Sequence, residues 1–357
     1  MPGSSSRPPA SRPRAALRWV LSALCALLAV WAAGAILGNN PGPLAHDDLI
    51  GGYAPAPGTT VSWRSEGWGQ TRYGRHGLLA GQDDLAESTA PKFILWCDSH
   101  VEALQVPNQE KISFVFNALT GGRPYHCIGY GRSGQSVADY CLALQHFEAA
   151  FPNVRGHLFL ISGMEDVLPA ATGGDAARLL ADPWRIEPGT FSLNARGLAL
   201  GRLLHAARLT PFYSAYRRLR EHAPRLLPRL AAGPTPEAAP PSRSGDPEQG
   251  WRFLLHELAG RTSGFLGFIY CPGAVPAPSG GGLGFSDDQA DLARRFGAIC
   301  AENGVAFIDM TKPFLRLYHE RGVLPRGFFN TPPGTGHLNR HGLRAVAEAI
   351  RDHFNHG

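Results

Sequence analysis

No two of the six cysteines in this 357-residue chain stand in a C-x-x-C spacing, which removes the commonest zinc ligand sets and a redox dithiol. No metal and no organic cofactor is expected. Charge is also sparse: Asp, Glu, Lys and Arg make up 18% of the residues against 44% hydrophobic ones, a balance that excludes a disordered chain and provides for a large core. Acidic residues are absent from the first eighteen positions, which instead carry Arg7, Arg12, Arg14 and Arg18.

An apolar run begins where that basic stretch ends. Trp19 to Leu37 contains no charged residue, and as a helix it would be about 28 Å long, close to the thickness of a hydrocarbon core. A basic flank ahead of such a run places the N-terminus in the cytoplasm and everything after Asn39 on the far side of the membrane. The predicted organisation is a basic cytoplasmic segment over 1–18, a single-pass transmembrane anchor over 19–38, an extended or hairpin-like lead-in over 39–90 and a globular domain over 91–357. A cleaved signal peptide is the rival to an anchor, because Ala33-Gly34-Ala35 forms an acceptable A-x-A site, although the run is longer than a typical signal core. Cys25 follows Leu24, where a lipid-attachment motif needs a small residue, so it reads as an apolar helix residue.

After Pro91 short apolar runs alternate with helical patterns. Phe93–Trp96, Tyr125–Ile128, His157–Ile161, Phe265–Tyr270 and Val305–Ile308 read as buried strands. Gln109–Leu119, Ser136–Ala150, Asp287–Glu302 and His341–Phe354 carry apolar residues at three- and four-residue intervals, as amphipathic helices do. The alternation predicts an α/β fold, a three-layer α/β/α domain of flavodoxin-like type with a five-stranded parallel sheet, whose ligands bind at the carboxyl ends of the strands. In an exported domain a disulfide is allowed, and Cys97 with Cys127 is the pair to inspect; five small buried hydrophobes is the equal alternative.

The alternation breaks between the third and fourth strands, where residues 167–263 form an insertion. It contains a Pro- and Ser-rich linker over 232–248 that cannot bury a core. Residues 196–229 hold eight Arg against the single acid Glu221, and removing this net +7 leaves the rest of the chain at −2. The basicity is therefore local. Leu198, Leu203, Leu204, Phe212, Tyr213, Tyr216 and Leu219 in the same stretch suggest basic amphipathic helices, either packed on the domain with a solvated Arg face or touching anionic headgroups or a polyanionic glycan. A nucleic acid partner is not expected, since the segment lies outside the cytoplasm.

Chemistry-bearing residues gather at one edge of the predicted sheet. Cys97-Asp98-Ser99 follows the first strand directly, Gly129-Tyr130-Gly131-Arg132-Ser133-Gly134 the second, Gly163-Met164-Glu165-Asp166 the third, and Gly336-His337-Leu338-Asn339 precedes the last helix. A Ser beside a His at such an edge fits acyl transfer, in which the His takes the Ser proton and preorganised donors hold the oxyanion. An Asp-Ser pair alone is also an ordinary helix N-cap.

Over 91–356, the insertion aside, this order resembles the four blocks of the SGNH (GDSL-type) hydrolases, and His100 to Pro107 resembles the continuation in bacterial membrane-anchored members. The resemblance implies Ser99 as nucleophile and His337 as base, with backbone N–H groups of Ser99 and Gly134 facing the oxyanion. Asp98 and His100 are expected to support the pocket. Three positions depart from the pattern. Cys97 replaces the Gly of G-D-S, Glu165 replaces the Asn that donates to the oxyanion in G-x-N-D, and Gly334 stands where the Asp of D-x-x-H should orient the base. An ionised Glu165 offers only acceptors to an oxyanion. His337 must then act in a dyad or borrow a carboxylate, with Asp309 and Glu165 as candidates by topology; Asp309 also suits a helix cap, the reading favoured here.

Two functions follow. One is a membrane-anchored ester hydrolase or O-acyltransferase facing the periplasmic side of a bacterial inner membrane and acting on acylated cell-surface glycans or lipids. The other is a catalytically degenerate domain that binds a glycan or docks onto a membrane O-acyltransferase.

Overall fold

A computed structural model describes residues 12–49, 52–141, 143–167, 203–207, 209–213, 215–216, 247–273, 277–279, 282–284 and 287–356. The chain divides into two compact units, Met1–Asn40 with Ala199–Pro234, and Pro41–Leu198 with Thr235–Gly357.

In the first unit, α1 (Arg12–Leu37) is apolar and long enough from Ala15 to Leu37 to cross a membrane. The amide of Asn40 closes its end, donating to the carbonyls of Ala35 and Gly38 at 3.2 Å, a side-chain substitute for the partners that the last turn lacks. Gly34 is buried inside this helix, and a Cβ there would fall 1.9 Å from the carbonyl oxygen of Pro211. Only a glycine lets the backbone of the insertion approach so closely. Residues 203–206 and 210–213 of the insertion are helical, with Leu203, Leu209, Tyr213 and Tyr216 exposed.

The second unit opens with two hairpins, β1 (Leu44–Asp47) with β2 (Gly52–Pro55) and β3 (Thr60–Trp63) with β4 (Gly69–Arg72), both antiparallel. The short helix α2 (Asp83–Glu87) follows. Both hairpins fall within residues 39–90.

The main sheet comprises β5 (Lys92–Cys97), β6 (His126–Gly131), β7 (Val154–Ile161), β8 (Phe265–Tyr270) and, beyond a small hairpin of β9 (Ala277–Ser279) and β10 (Gly282–Gly284), β11 (Ala306–Asp309). It runs β6-β5-β7-β8-β11, every neighbour parallel. This is the flavodoxin-like order, whose switch point lies where the first strand meets the third. The helices are α3 (Ser99–Glu102), α4 (Ile112–Thr120), α5 (Val137–Tyr140), α6 (Ala143–Ala150), α7 (Pro247–Ala259), α8 (Ala290–Glu302), α9 (Thr311–Arg321) and α10 (Arg340–His356). They complete a three-layer α/β/α architecture with a core on each face of the sheet. Trp96, Phe159 and Phe268 pack with Phe147 of α6, Trp251 of α7 and Phe296 of α8. On the opposite face Phe93, Leu158 and Ile269 pack with Phe116 of α4, Phe314 of α9 and Val346 of α10. Alternate residues of each strand feed alternate cores, as the pleat requires.

Four sequence expectations need correction. The helix expected over Gln109–Leu119 is interrupted by an extended Lys111, whose side chain turns inward. That expected over Ser136–Ala150 is two short helices, α5 and α6. Helix α9 went unread. Pro247 and Glu248, which the sequence reading set in the linker over 232–248, open α7; a Pro is at home in a first helical turn. Residues 232–246 lie outside the described residues, as does most of 167–202. Cys97 and Cys127 are free and buried. They sit on neighbouring strands, but Cys127 pairs with Phe93 and Cys97 with Gly131, so four residues of register separate them.

Candidate active site

Ser99 is the first residue of α3 and leaves the carboxyl end of β5 at the switch point of the sheet. Asp98 caps the helix, accepting from the His100 N–H at 3.2 Å, and Ser99 Oγ lies 3.2 Å from the other Asp98 oxygen. The helix is one turn long because Ala103 enters the left-handed region at φ 43°, a strained conformation for a residue with a Cβ. Gly131, the last residue of β6, lies under this turn: a Cβ there would fall 2.1 Å from the backbone nitrogen of Glu102. The glycine lets the second strand come close beneath the Ser99 turn.

His337 closes onto Ser99 from the loop before α10, with Nε2 2.8 Å from Ser99 Oγ. The other side of the ring meets a residue that the sequence reading did not select. Glu66, in the turn between β3 and β4, takes His337 Nδ1 in a short contact with one oxygen and the His337 backbone N–H at 2.7 Å with the other. A carboxylate at Nδ1 fixes that nitrogen as the donor and leaves the Nε2 lone pair facing the serine hydroxyl. Burial works to raise the Glu66 pKa, but its bonds to His337, the electrostatic pull of that ring and the positive charge of Arg326 outweigh burial and hold it below the ordinary carboxylate value. Glu66 thus stays ionised.

Several residues build this geometry. Gly336 has φ +75°, and a Cβ on it would fall 2.2 Å from Glu66 Oε1, so glycine alone lets the carboxylate reach the backbone of His337. Gly334, where the resemblance calls for an Asp, occupies a turn at φ +77°. Asn330 clips the Glu66 turn to this loop, accepting from the Gly67 N–H at 2.8 Å and donating to the Arg64 carbonyl at 3.1 Å. Arg326 is 5% exposed and spends its donors on the carbonyls of Cys271, Pro272 and Gly336 at 3.0, 3.1 and 2.7 Å. It ties the end of β8 to the His337 loop. Burial lowers its pKa.

His100 is buried next to His337, the ring centroids 5.0 Å apart. Burial, then the charges of Arg326 and His337, push its pKa well below the usual imidazole value, so it is neutral. The Leu338 N–H points at its Nδ1 from 3.4 Å, which makes His100 a support of the base loop.

The remaining expected residues lie as follows. Gly134 is in the turn after β6 at φ +85°, and that turn is held by Glu102, which accepts from the Ser133 N–H at 3.1 Å. Asp166 gathers the N–H groups of Ser162 and Gly163 at 2.6 and 3.2 Å. Its neighbour Glu165 is exposed, with the Gln289 amide donating to it at 3.0 Å. Asp309 accepts from the Thr311 N–H at 2.8 Å and so caps α9. Neither Glu165 nor Asp309 is the partner of His337. The carboxylate that meets His337 is Glu66 of the lead-in, 271 positions earlier in the chain. One signal was available in the sequence: an acid followed by Gly between two β-rich runs marks the tip of a hairpin, but nothing local says where the tip points.

No family model matches the chain, and no curated protein matches it. Among solved structures it is similar to a member of the lipolytic protein G-D-S-L family from Veillonella parvula (13% identity, TM-score 0.38, covering 75% of this chain and 100% of that one). It is also similar to an acetyl xylan esterase (14%, 0.39, 73% and 98%) and to a phospholipase A1 from Streptomyces albidoflavus (12%, 0.37, 74% and 99%). At such identities and scores the reading of the site rests on its own geometry.

Proposed function

We propose that the chain is a membrane-anchored serine esterase or O-acyltransferase in which Ser99, His337 and Glu66 form the catalytic triad. The observation that carries this is the continuous hydrogen-bonded line from Ser99 Oγ through both ring nitrogens of His337 to Glu66. As His337 Nε2 takes the hydroxyl proton, Ser99 Oγ bonds to the ester carbonyl carbon, and the carbonyl oxygen becomes an oxyanion facing the backbone N–H groups of Ser99 and Gly134. Glu66 stabilises the imidazolium without taking its proton. Collapse breaks the ester C–O bond, and His337 returns the proton to the departing alcohol. Water then releases the acyl group as an acid, or a second hydroxyl carries it away as a new ester; in both cases His337 takes the proton of the incoming group.

Helix α1 would hold this centre on the far side of the membrane, among acylated surface glycans or lipids. A serine-directed fluorophosphonate tests the reading. The native chain should be labelled, Ser99→Ala should not, and a folded native chain that resists labelling would overturn it.

A further inference from the structure

Among the described residues of the α/β unit, two large apolar side chains stand exposed, and each adjoins in the chain a residue that builds the Ser99–His337–Glu66 site: Trp68 at 46% and Phe329 at 80%. Trp68 is two positions after Glu66 in the same turn. Phe329 precedes Asn330, the residue that clips that turn to the His337 loop. Their rings lie 6.5 Å apart at 46°. Trp68 is also held in place: the guanidinium of Arg64 lies 4.3 Å from its ring centroid, fixed in turn to the carbonyls of Trp63 and Gly69 at 2.8 and 2.5 Å. The backbone N–H of Trp68 donates to the Gln105 carbonyl at 3.2 Å. A cation behind one face steadies the ring, and side chains ordered in advance lose little freedom on binding.

We propose that Trp68 and Phe329 form a stacking platform for a sugar ring, so that the ester presented to Ser99 is one carried on a pyranose. This rests on the esterase reading above and names its substrate class. A pyranose offers a flat face of C–H bonds with partial positive charge, which meets the negative face of an aromatic ring while its oxygens remain at the edge in water. A fatty acyl chain needs more. Its stabilisation is about 25 cal/mol per Å² of apolar surface removed from water, and two open rings without exposed aliphatic neighbours leave most of a chain wet.

The test uses the full chain in detergent and two acetyl esters, methyl tetra-O-acetyl-β-glucopyranoside and the acyclic glycerol triacetate. In Trp68→Ala and in Phe329→Ala the ratio of kcat/KM for ring over acyclic ester should fall at least tenfold, chiefly through KM, and Trp68→Tyr should restore most of it. An unchanged ratio in both alanine variants overturns the platform. So does a greater loss on p-nitrophenyl dodecanoate than on the sugar ester, which would assign the rings to an acyl chain. Should the native chain hydrolyse neither acetyl ester, the hydrolase half of that reading fails separately, and binding decides the platform: equal affinity of the native chain and Trp68→Ala for the acetylated glucoside overturns it. If Trp68→Ala disturbs the Glu66 turn, Phe329→Ala, changed at a side chain that projects into solvent, carries the test alone.

Discussion

Glu66 holds His337 at two points, the ring Nδ1 and the backbone N–H, so one carboxylate fixes both the orientation of the base and the loop that bears it. Glu66→Gln keeps the shape of the side chain but removes its charge and lets an amide face Nδ1. It is expected to lower kcat by several orders of magnitude, the equivalent change in a well-studied triad costing about four. Stopped assays on a chromogenic acetate measure this, and an effect below tenfold would move Glu66 out of the triad.

Gly336→Ala tests the same contact from the other side. Its Cβ would stand 2.2 Å from Glu66 Oε1, at a φ of +75° that alanine resists. A stability loss of about 1–3 kcal/mol is expected, together with a fall in turnover larger than that loss explains. Denaturation and kinetics on the same preparation separate the two.

Glu165→Asn replaces the acid at the oxyanion-donor position by the residue that the family resemblance calls for. Because Glu66 already serves His337, the change removes no orienting carboxylate, and turnover is expected to rise or hold. A tenfold fall on the chromogenic acetate would return Glu165 to the catalytic machinery.

Lys111 is fully buried, with Nζ on the Thr71 hydroxyl at 2.7 Å and on the Glu102 carbonyl, so it joins the Glu66 hairpin to the nucleophile helix. Burial lowers its pKa from 10.5 to about 7. Between those values the unfolded chain holds a proton that the folded one does not, so this group makes stability rise with pH from about 7 to 10.5; below 7 the folded state carries the full cost of a buried charge. Relative to native protein, Lys111→Met should therefore be most stabilised, or least destabilised, at and below pH 7, with that advantage shrinking towards pH 10. Urea unfolding at pH 6, 8 and 10 reads the trend, and a difference independent of pH would refute it.

Topology is checked by a reporter fused at the C-terminus. Arg12, Arg14 and Arg18 ahead of the apolar run predict an extracytoplasmic α/β unit, so alkaline phosphatase should be active there. Activity only of a reporter that works in the cytoplasm would reverse the assignment.

The sheet was legible because its strands are buried on both faces and read as unbroken apolar runs; Phe265–Tyr270 matches β8 to the residue. Helix α9 was not, since its charged residues Lys312, Arg316, Glu320 and Arg321 dilute its apolar face. Ser99 and His337 stood out because each adjoins a regular element whose period can be read. Glu66 and Arg326 did not, because Glu66 sits in a turn and Arg326 in a loop that only bridges to Leu338, and both act through contacts across the fold. Trp68 carried no signal at all: its exposure is a property of the folded chain.

The distance along the chain between acid and base has a consequence for biosynthesis. Glu66 and Ser99 leave the ribosome long before His337, which lies in the loop ahead of α10. On the proposed reading, until that loop has followed them and folded back across the sheet, Ser99 would have no base, and a nascent or truncated chain would not acylate itself on the esters around it. The proposed reactive centre would thus be armed last, after the α/β unit that confines it has been made.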